Sequence, residues 1–371
     1  MKSDNICSFL TAKKAILLNF TGNTYHWGCY GTSMELYHSL LERNYYVDLV
    51  SVATIHALSP TPERSSDFHN KEFFKKFYES NQALVSSLLH SDIIVVNGEG
   101  TLHRVTKNSL ALLYIIFISK IYLNKKIFLI NFSCFPNGDN SLPNSISNIY
   151  LDVLKYVDMI APRDCITHKI LLESGIESTQ AFDCLPRFLQ RYKLVNSHEP
   201  KGYILVAGGI YFSKQRVQFL ENFIAYFLEK NVPVKFLCGA QFHPASDDLV
   251  LQKKLKENPK IEKLEIIQAS SMLEWINEFK FASFFFSARF HHSIASLSLG
   301  TPFKFLSSHT PKINSAVETL GEDVEKYLVK EKMFDFLIDS AEQALAQSIS
   351  FKSEKRVEKM LSLADKNFIG I

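Results

Sequence analysis

Short apolar runs alternate with longer helical patterns along this 371-residue chain, and they do so in two successive series. That alternation restricts the fold more than any other feature. A strand–helix–strand order builds parallel sheets covered by helices. In the first series, strands read at 15–20, 46–52, 92–97, 126–133 and 159–162. Helical stretches fall near 32–43, 70–90, 109–123, 145–156 and 165–174, and Gly175 stands where a helix-ending glycine belongs. The second series has strands near 203–207, 234–238, 264–268, 281–287 and 303–306. Helices are expected from Gly208-Gly209 to about 230 and over 245–257, 271–279 and 292–299, with a mostly helical stretch beyond 315.

A polar segment at 190–201, closed by Pro200, separates the series. The expectation is two α/β domains, 1–190 and 201–371, each Rossmann-like and facing the other across a cleft. A chain this long is better served by two cores than one. Hydrophobic residues make up 46% and charged residues 21%, a globular composition. The net charge of +3 comes without a basic stripe, which argues against nucleic acid as a partner. It suits an ordinary surface, and a small anionic substrate or an anionic membrane surface equally. The six cysteines (Cys7, Cys29, Cys134, Cys165, Cys184, Cys238) show no C-x-x-C spacing. They read as thiols of a reducing compartment rather than a disulfide framework or zinc site. Residues 1–20 lack the pattern of a signal peptide. The apolar run at 110–123 is shorter than the roughly 20 residues that span a bilayer, and reads as a buried helix. The expected location is cytoplasmic, compatible with peripheral attachment to the inner face of the membrane.

Open α/β folds bind ligands beyond the carboxyl ends of their strands. There the first loop, 21–32, offers Gly22, Asn23, Gly28 and Gly31, but no G-x-G-x-x-G or P-loop pattern. It suits an anion at a helix N-terminus, or a turn packed with aromatics. The third strand ends in Asn97-Gly98-Glu99-Gly100, which exposes a carboxyl group between two glycines or caps the next helix with it. The fifth ends in Arg163-Asp164, with Arg163 aimed at the site and Asp164 capping a helix. The richest stretch, 281–302, carries Ser287-Ala288-Arg289-Phe290-His291-His292. Arginine grips carboxylate or phosphate, and histidine moves a proton near neutral pH. Arg289 and His291 face one site if the chain is still extended there, and His292 points elsewhere. No further ligand is spaced to turn the His pair into a metal site. His243-Pro244 is either a nucleotide contact or a turn.

Taken in order, Gly22-Asn23, the strand from Asp92 to Gly100, Arg163-Asp164, Ser287 to His291, Gly300-Thr301-Pro302 and Lys312 resemble the polysaccharide pyruvyl transferase family. The resemblance covers roughly 22–312. The chain departs from it in the acid at the centre of Gly98-Glu99-Gly100 and in a first loop without the compact Asn-x-Gly-Asp form. The resemblance implies a two-domain arrangement like that of GT-B glycosyltransferases and a role in exopolysaccharide or capsule biosynthesis. The implied reaction moves a pyruvyl group from phosphoenolpyruvate onto two hydroxyls of a saccharide or lipid-linked saccharide, as a cyclic ketal. Arg163, Arg289, His243 and Ser287 would bind the donor. Asn23, Asn97 and Glu99 would face the acceptor, and His291, Arg289 and Glu99 would carry the chemistry. Neither cofactor nor metal is expected. A rival reading is a glycosyltransferase using a CMP-activated keto-sugar acid, whose donor also sets a carboxylate beside the reacting carbon and leaves as a phosphate. A third is a sugar-binding protein without catalysis, against which the intact Arg289/His291 pair stands.

Overall fold

The computed structural model describes residues 13–22, 26–135, 146–194, 198–209, 212–240, 246–308, 310–347 and 354–371, with side chains from 248 onward in the sixth segment. Its strands are β1 Lys13–Phe20, β2 Tyr45–Ser51, β3 Ile93–Glu99, β4 Lys126–Phe132, β5 Met159–Pro162, β6 Tyr203–Val206, β7 Val234–Leu237, β8 Glu265–Ile267, β9 Ala282–Ser287, β10 Phe303–Leu306 and β11 Leu328–Val329. The helices are α1 Trp27–Glu42, α2 Val52–His56, α3 Ser65–Phe68, α4 Lys71–Ser80, α5 Gln82–Leu89, α6 Lys107–Ile121, α7 Asn148–Leu154, α8 Cys165–Glu173 and α9 Leu185–Arg191. They continue with α10 Lys214–Glu229, α11 Ser246–Lys256, α12 Met272–Phe281, α13 Phe290–Leu299, α14 Lys312–Thr319, α15 Phe334–Gln347 and α16 Glu354–Asp365.

Two compact units result. Among the described residues, the first holds 13–22, Ser33–Asp183 and Leu363–Ile371, and the second holds 26–32 and Cys184–Ser362. Each has one parallel sheet, ordered β2-β1-β3-β4-β5 in the first unit and β11-β10-β9-β6-β7-β8 in the second. In both sheets the chain starts in the middle and reverses its direction of travel once. The reversal falls between β1 and β3 in one and between β6 and β9 in the other. Helices leave to opposite faces at such a point, so the loops diverge and open a crevice at the strand ends. The sheet orders alone therefore mark two places for a site, one per unit.

The apolar run at 110–123 forms most of α6, and every residue from Ser109 to Ser119 is buried. Tyr114 of that helix packs edge-on against Phe68, Phe73 and Phe77. Phenylalanine is abundant, at 30 residues, because it also fills the second core, where Phe223 of α10 meets Phe227, Phe284 and Phe286. Fully burying such a ring contributes about 1.5–3 kcal/mol. Among the described residues no helix is long and apolar enough to cross a membrane.

The helix expected over 70–90 is two, α4 and α5. Asn81 leaves helical geometry between them, and its side-chain amide donates to Ser59 O at 2.9 Å and Phe77 O at 2.8 Å. The α1 helix begins at Trp27, five residues before the sequence suggests. The first-turn N–H of Trp27 is satisfied by Gly239 O at 3.2 Å, a partner too distant in sequence to be foreseen.

Candidate functional site

In the first unit, the carboxyl ends of β1, β3 and β4 carry Asn19, Glu99 and Asn131, all at positive φ (60°, 33° and 51°). Asn19 and Asn131 coincide with register shifts in their strands, between Leu18 and Phe20 and between Ile130 and Phe132. Asparagine tolerates the left-handed region better than most residues, and a bulge re-aims its side chain. Both amides turn to Asn97 of β3, which lies between their strands. Asn19 Nδ2 donates to Asn97 O at 2.7 Å and to Thr101 Oγ1 at 2.9 Å, and Asn131 Nδ2 donates to Asn97 Oδ1 at 2.9 Å. Asn97 Nδ2 then donates to Ser33 Oγ at 3.1 Å and to Glu99 Oε1 at 3.2 Å.

Glu99 is 5% exposed. Its Oε1 also accepts from Thr21 Oγ1 at 2.8 Å. The Thr21 hydroxyl proton is spent on that bond, so in the 2.7 Å contact between Thr21 and Ser33 the Ser33 hydroxyl is the donor. A one-way relay therefore runs from Ser33 through Thr21 to Glu99. The carboxyl group is held by one neutral amide and one hydroxyl, both on Oε1.

Gly98 serves packing: a Cβ there would stand 2.3 Å from Phe132 Cβ on the neighbouring strand. Beyond Glu99, His103 Nδ1 lies 3.0 Å from Gly100 O. A carbonyl can only accept, so the proton of this imidazole sits on Nδ1. Arg163, 2% exposed, donates to Ser133 Oγ at 3.1 Å and to Asp183 Oδ2 at 2.8 Å, and Asp183 is fully buried. Asp164 caps α8 as expected, accepting from Thr167 N at 2.8 Å.

In the second unit, β9 ends at Ser287, and Arg289 is the still-extended residue (φ −96°, ψ 132°) that precedes α13. Ser287 is 1% exposed; its hydroxyl donates to Gly208 O at 3.1 Å and accepts from Arg289 N at 3.0 Å. This ties the ends of β6 and β9 together at the reversal point. Arg289, 7% exposed, donates from Nη2 to Asp248 Oδ1 at 2.5 Å. The other Asp248 oxygen accepts from Gly239 N at 3.0 Å. Arg289 Nη1 lies 3.4 Å from His26 Nε2. A guanidinium cannot accept, so His26 meets it as a neutral ring with the lone pair on Nε2. Glycine at 239 gives the pair room, since a Cβ there would stand 3.0 Å from His26 Nδ1 and 3.1 Å from Arg289 Nε and crowd both side chains.

His291, in the first turn of α13, is half-buried, with Nδ1 3.6 Å from Cys29 Sγ. His292 turns into the core against Trp275, Phe279 and Phe285. Both its ring nitrogens are buried without a hydrogen bond. Burial, then the charge of Arg289, hold its pKa well below the ordinary histidine value. Burial likewise pushes the Cys238 thiol up to about 12.

The site residues expected from sequence thus fall into two groups, with Glu99, Asn97 and Arg163 in the first unit and Arg289, His291 and Ser287 in the second. Asn23 and His243 lie outside the described residues. Three assignments change. Arg163, expected to bind the donor, is buried and engaged by Asp183 and Ser133. Asn97 is fully buried, and both its amide protons go to Ser33 and Glu99 while its Oδ1 accepts from Asn131, so it positions Glu99 rather than facing an acceptor. Ser287 is spent on the turn and is no donor ligand. Sequence reasoning missed Asn19, Thr21, Ser33 and Asn131 in the first unit, and His26, Cys29 and Asp248 in the second. A signal existed for two of these. β1 and β4 each end in an Asn-Phe pair, a buried amide in an otherwise apolar strand. Among the described residues no three of His, Cys, Asp and Glu group as a cation site.

Two Rossmann-like units with a polar cluster at each reversal point define an α/β protein of the GT-B class. Solved structures agree on the fold. The UDP-GlcNAc 2-epimerase of Methanocaldococcus jannaschii, in complex with UDP-GlcNAc and UDP, is 16% identical, with a TM-score of 0.51 over 94% of this chain and 98% of its own. That of Neisseria meningitidis, bound to UDP-GlcNAc, is 9% identical, with a TM-score of 0.51 over 96% and 98%. A UDP-glucosyltransferase of Polygonum tinctorium is 11% identical, with a TM-score of 0.50 over 96% and 99%. A comparison with curated proteins finds no match. The model of the polysaccharide pyruvyl transferase family matches residues 36–310. The chain belongs to that family and is a transferase.

Proposed function

We propose that this protein transfers the pyruvyl group of phosphoenolpyruvate to two hydroxyls of a saccharide, forming a cyclic ketal for a cell-surface polysaccharide. The observation that carries the reading is the Arg289–His291 segment of a pyruvyl transferase family member. Its guanidinium is clamped between Asp248 and His26, and its imidazole stands half-buried two residues on. Held this way, Arg289 is pre-oriented for an anionic donor at no further entropic cost. In the step, the donor's methylene takes a proton and becomes the methyl group. The two acceptor oxygens bond to C2, and the C–O bond to phosphate breaks. Of the two hydroxyl protons, one balances the methyl group and the other leaves with inorganic phosphate. His291 supplies the proton to carbon, and Glu99 accepts a hydroxyl proton. Arg163, closed into its pair with Asp183, acts as a strut beneath the first-unit strand ends.

The Glu99 network also favours a second reading. A glycosyltransferase using a CMP-activated keto-sugar acid needs a carboxylate nucleophile or base, and Glu99 is built to hold one still. Melting curves with each ligand separate the two. At a hundred times its dissociation constant a ligand stabilises the fold by about 2.7 kcal/mol. Stabilisation by phosphoenolpyruvate and not by CMP is expected, with phosphate release on adding an acceptor saccharide. The reverse result makes the protein a glycosyltransferase.

A further inference from the structure

We infer that Ser33 of α1 is a positioning residue for Glu99: its hydroxyl orients both groups that bond Glu99 Oε1, and so leaves Oε2 to take the proton of an acceptor hydroxyl. The inference deepens the proposed function and rests on Glu99 being its base. Ser33, Thr21, Asn97 and Glu99 all belong to the first unit.

The Ser33 hydroxyl stands where the two holders of Glu99 meet. Its oxygen accepts from Thr21 N at 3.1 Å and from Asn97 Nδ2 at 3.1 Å. A hydroxyl oxygen has two lone pairs, and these donors fill both. Neither bond can be reversed, because a backbone N–H and an amide NH2 only donate. The 2.7 Å contact with Thr21 Oγ1 must therefore carry the Ser33 proton toward Thr21. The far end of the relay demands the same direction, since a carboxylate only accepts and Thr21 Oγ1 lies 2.8 Å from Glu99 Oε1. Two independent constraints, one from the backbone and one from the carboxylate, thus agree on the sense of the relay. Ser33 is fully buried and sits on a helix, so its own place does not depend on the strand-end loops.

The effect on Glu99 is to make its two oxygens unlike. Among the described residues, both hydrogen bonds of the carboxyl group fall on Oε1, from Thr21 Oγ1 and from Asn97 Nδ2 at 3.2 Å. Ser33 touches both of these donors. It gives Thr21 a proton, which turns the Thr21 proton toward Glu99, and it takes one amide proton of Asn97, which aims the other at Glu99. Two accepted bonds occupy the in-plane lone pairs of Oε1, and protonation there would break one of them. Oε2 can take a proton with both bonds kept. As an acceptor oxygen bonds to C2, its O–H bond breaks and the proton passes to Oε2, to leave with inorganic phosphate.

The test uses the full chain, with turnover measured below the melting point of each variant. Ser33→Ala should lower kcat about tenfold, one decade of the two or more that general acid–base catalysis contributes, with both KM values within about twofold of native. In a Glu99→Gln background the same substitution should cost nothing further, because a residue that acts through Glu99 has nothing left to position. Thr21→Val cuts the relay one link nearer to Glu99 at nearly constant volume, and stands in should Ser33→Ala fold poorly. Thr21→Ser keeps the hydroxyl and should stay within about twofold of native. Glutamate labelled with 13C at the carboxyl carbon gives a readout without turnover. The Glu99 signal, assigned by its loss in Glu99→Gln, should move in Ser33→Ala and Thr21→Val and stay in place in Thr21→Ser. Losses that multiply in the double variant overturn the inference, as does a Glu99 signal unmoved in both Ser33→Ala and Thr21→Val. If the signal moves as expected while the native protein makes no pyruvyl ketal, the proposed function falls and the hold of Ser33 on Glu99 stands.

Discussion

Glu99 in the first unit and Arg289 in the second are both nearly buried groups at the reversal point of a parallel sheet, yet they are held in opposite ways. Glu99 is surrounded by neutral donors, and the cost of holding it is taken by the backbone, with three residues at positive φ. Arg289 sits on ordinary backbone and is held by an opposing charge, Asp248, together with a neutral imidazole. A charge matched by a charge is fixed but muted. A carboxyl group matched by dipoles is fixed in place by neutral groups. The difference fits the roles proposed above for Glu99 and Arg289.

The comparison breaks most readily at Asp248. Replacing it with alanine leaves a buried guanidinium uncompensated and Gly239 N–H without its acceptor. We expect a loss of about 3–5 kcal/mol, read by urea unfolding. A loss under 1 kcal/mol would mean that the ion pair is not what holds Arg289. Next in size is turnover. His291→Ala should lower it by about 100-fold or more. Glu99→Gln retains an acceptor for Thr21 and Asn97, so the fold should be kept, with a smaller loss partly rescued by more acceptor saccharide. Losses of several orders of magnitude in Glu99→Gln, without rescue, would favour the glycosyltransferase reading. Third, Asn131→Ala should cost about 2 kcal/mol, combining a lost buried hydrogen bond with a Cβ residue at positive φ. Asn131→Gly should recover the backbone part, and equal losses in the two variants would remove strain from the account.

The smallest effect is a pH dependence. His292 has its pKa lowered by burial, so the unfolded chain binds a proton that the folded chain refuses. Its contribution is complete above about pH 6.5 and is lost as pH falls below that, at up to about 1.4 kcal/mol per pH unit. Burial lowers His198, His56 and His168 as well, so the native slope is shared. His292→Phe should flatten it by up to one proton, and an unchanged slope of stability against pH would show that His292 contributes nothing to it.

The strands were legible in the sequence wherever they were apolar and flanked by polar turns, as at 126–133, which became β4. The two-residue β11 was not, because Leu328–Val329 carries no pattern of its own. Arg289, His291 and Glu99 could be singled out because polar residues at strand ends are conspicuous. Their partners could not. Asp248 lies in the first turn of a helix, where an acid reads as a cap, and His26 and Cys29 lie in a stretch that the sequence pattern assigns to the loop before the helix. Such pairings depend on which strands are neighbours in the sheet, and neighbours need not be consecutive in the chain.

The last residues of the chain raise a question of timing. Asn367 is fully buried in the first unit; it accepts from Asn131 N at 2.8 Å and donates to Phe182 O at 2.8 Å. The first unit therefore cannot finish its own interior when Asp183 leaves the ribosome. It must wait, with Asn131 N lacking its Asn367 partner, until the whole second unit has been synthesised. Domains made first generally fold first. Here completion runs in the other order, and nascent chains halted before residue 363 should show β4 amides that exchange with solvent far faster than in the finished protein.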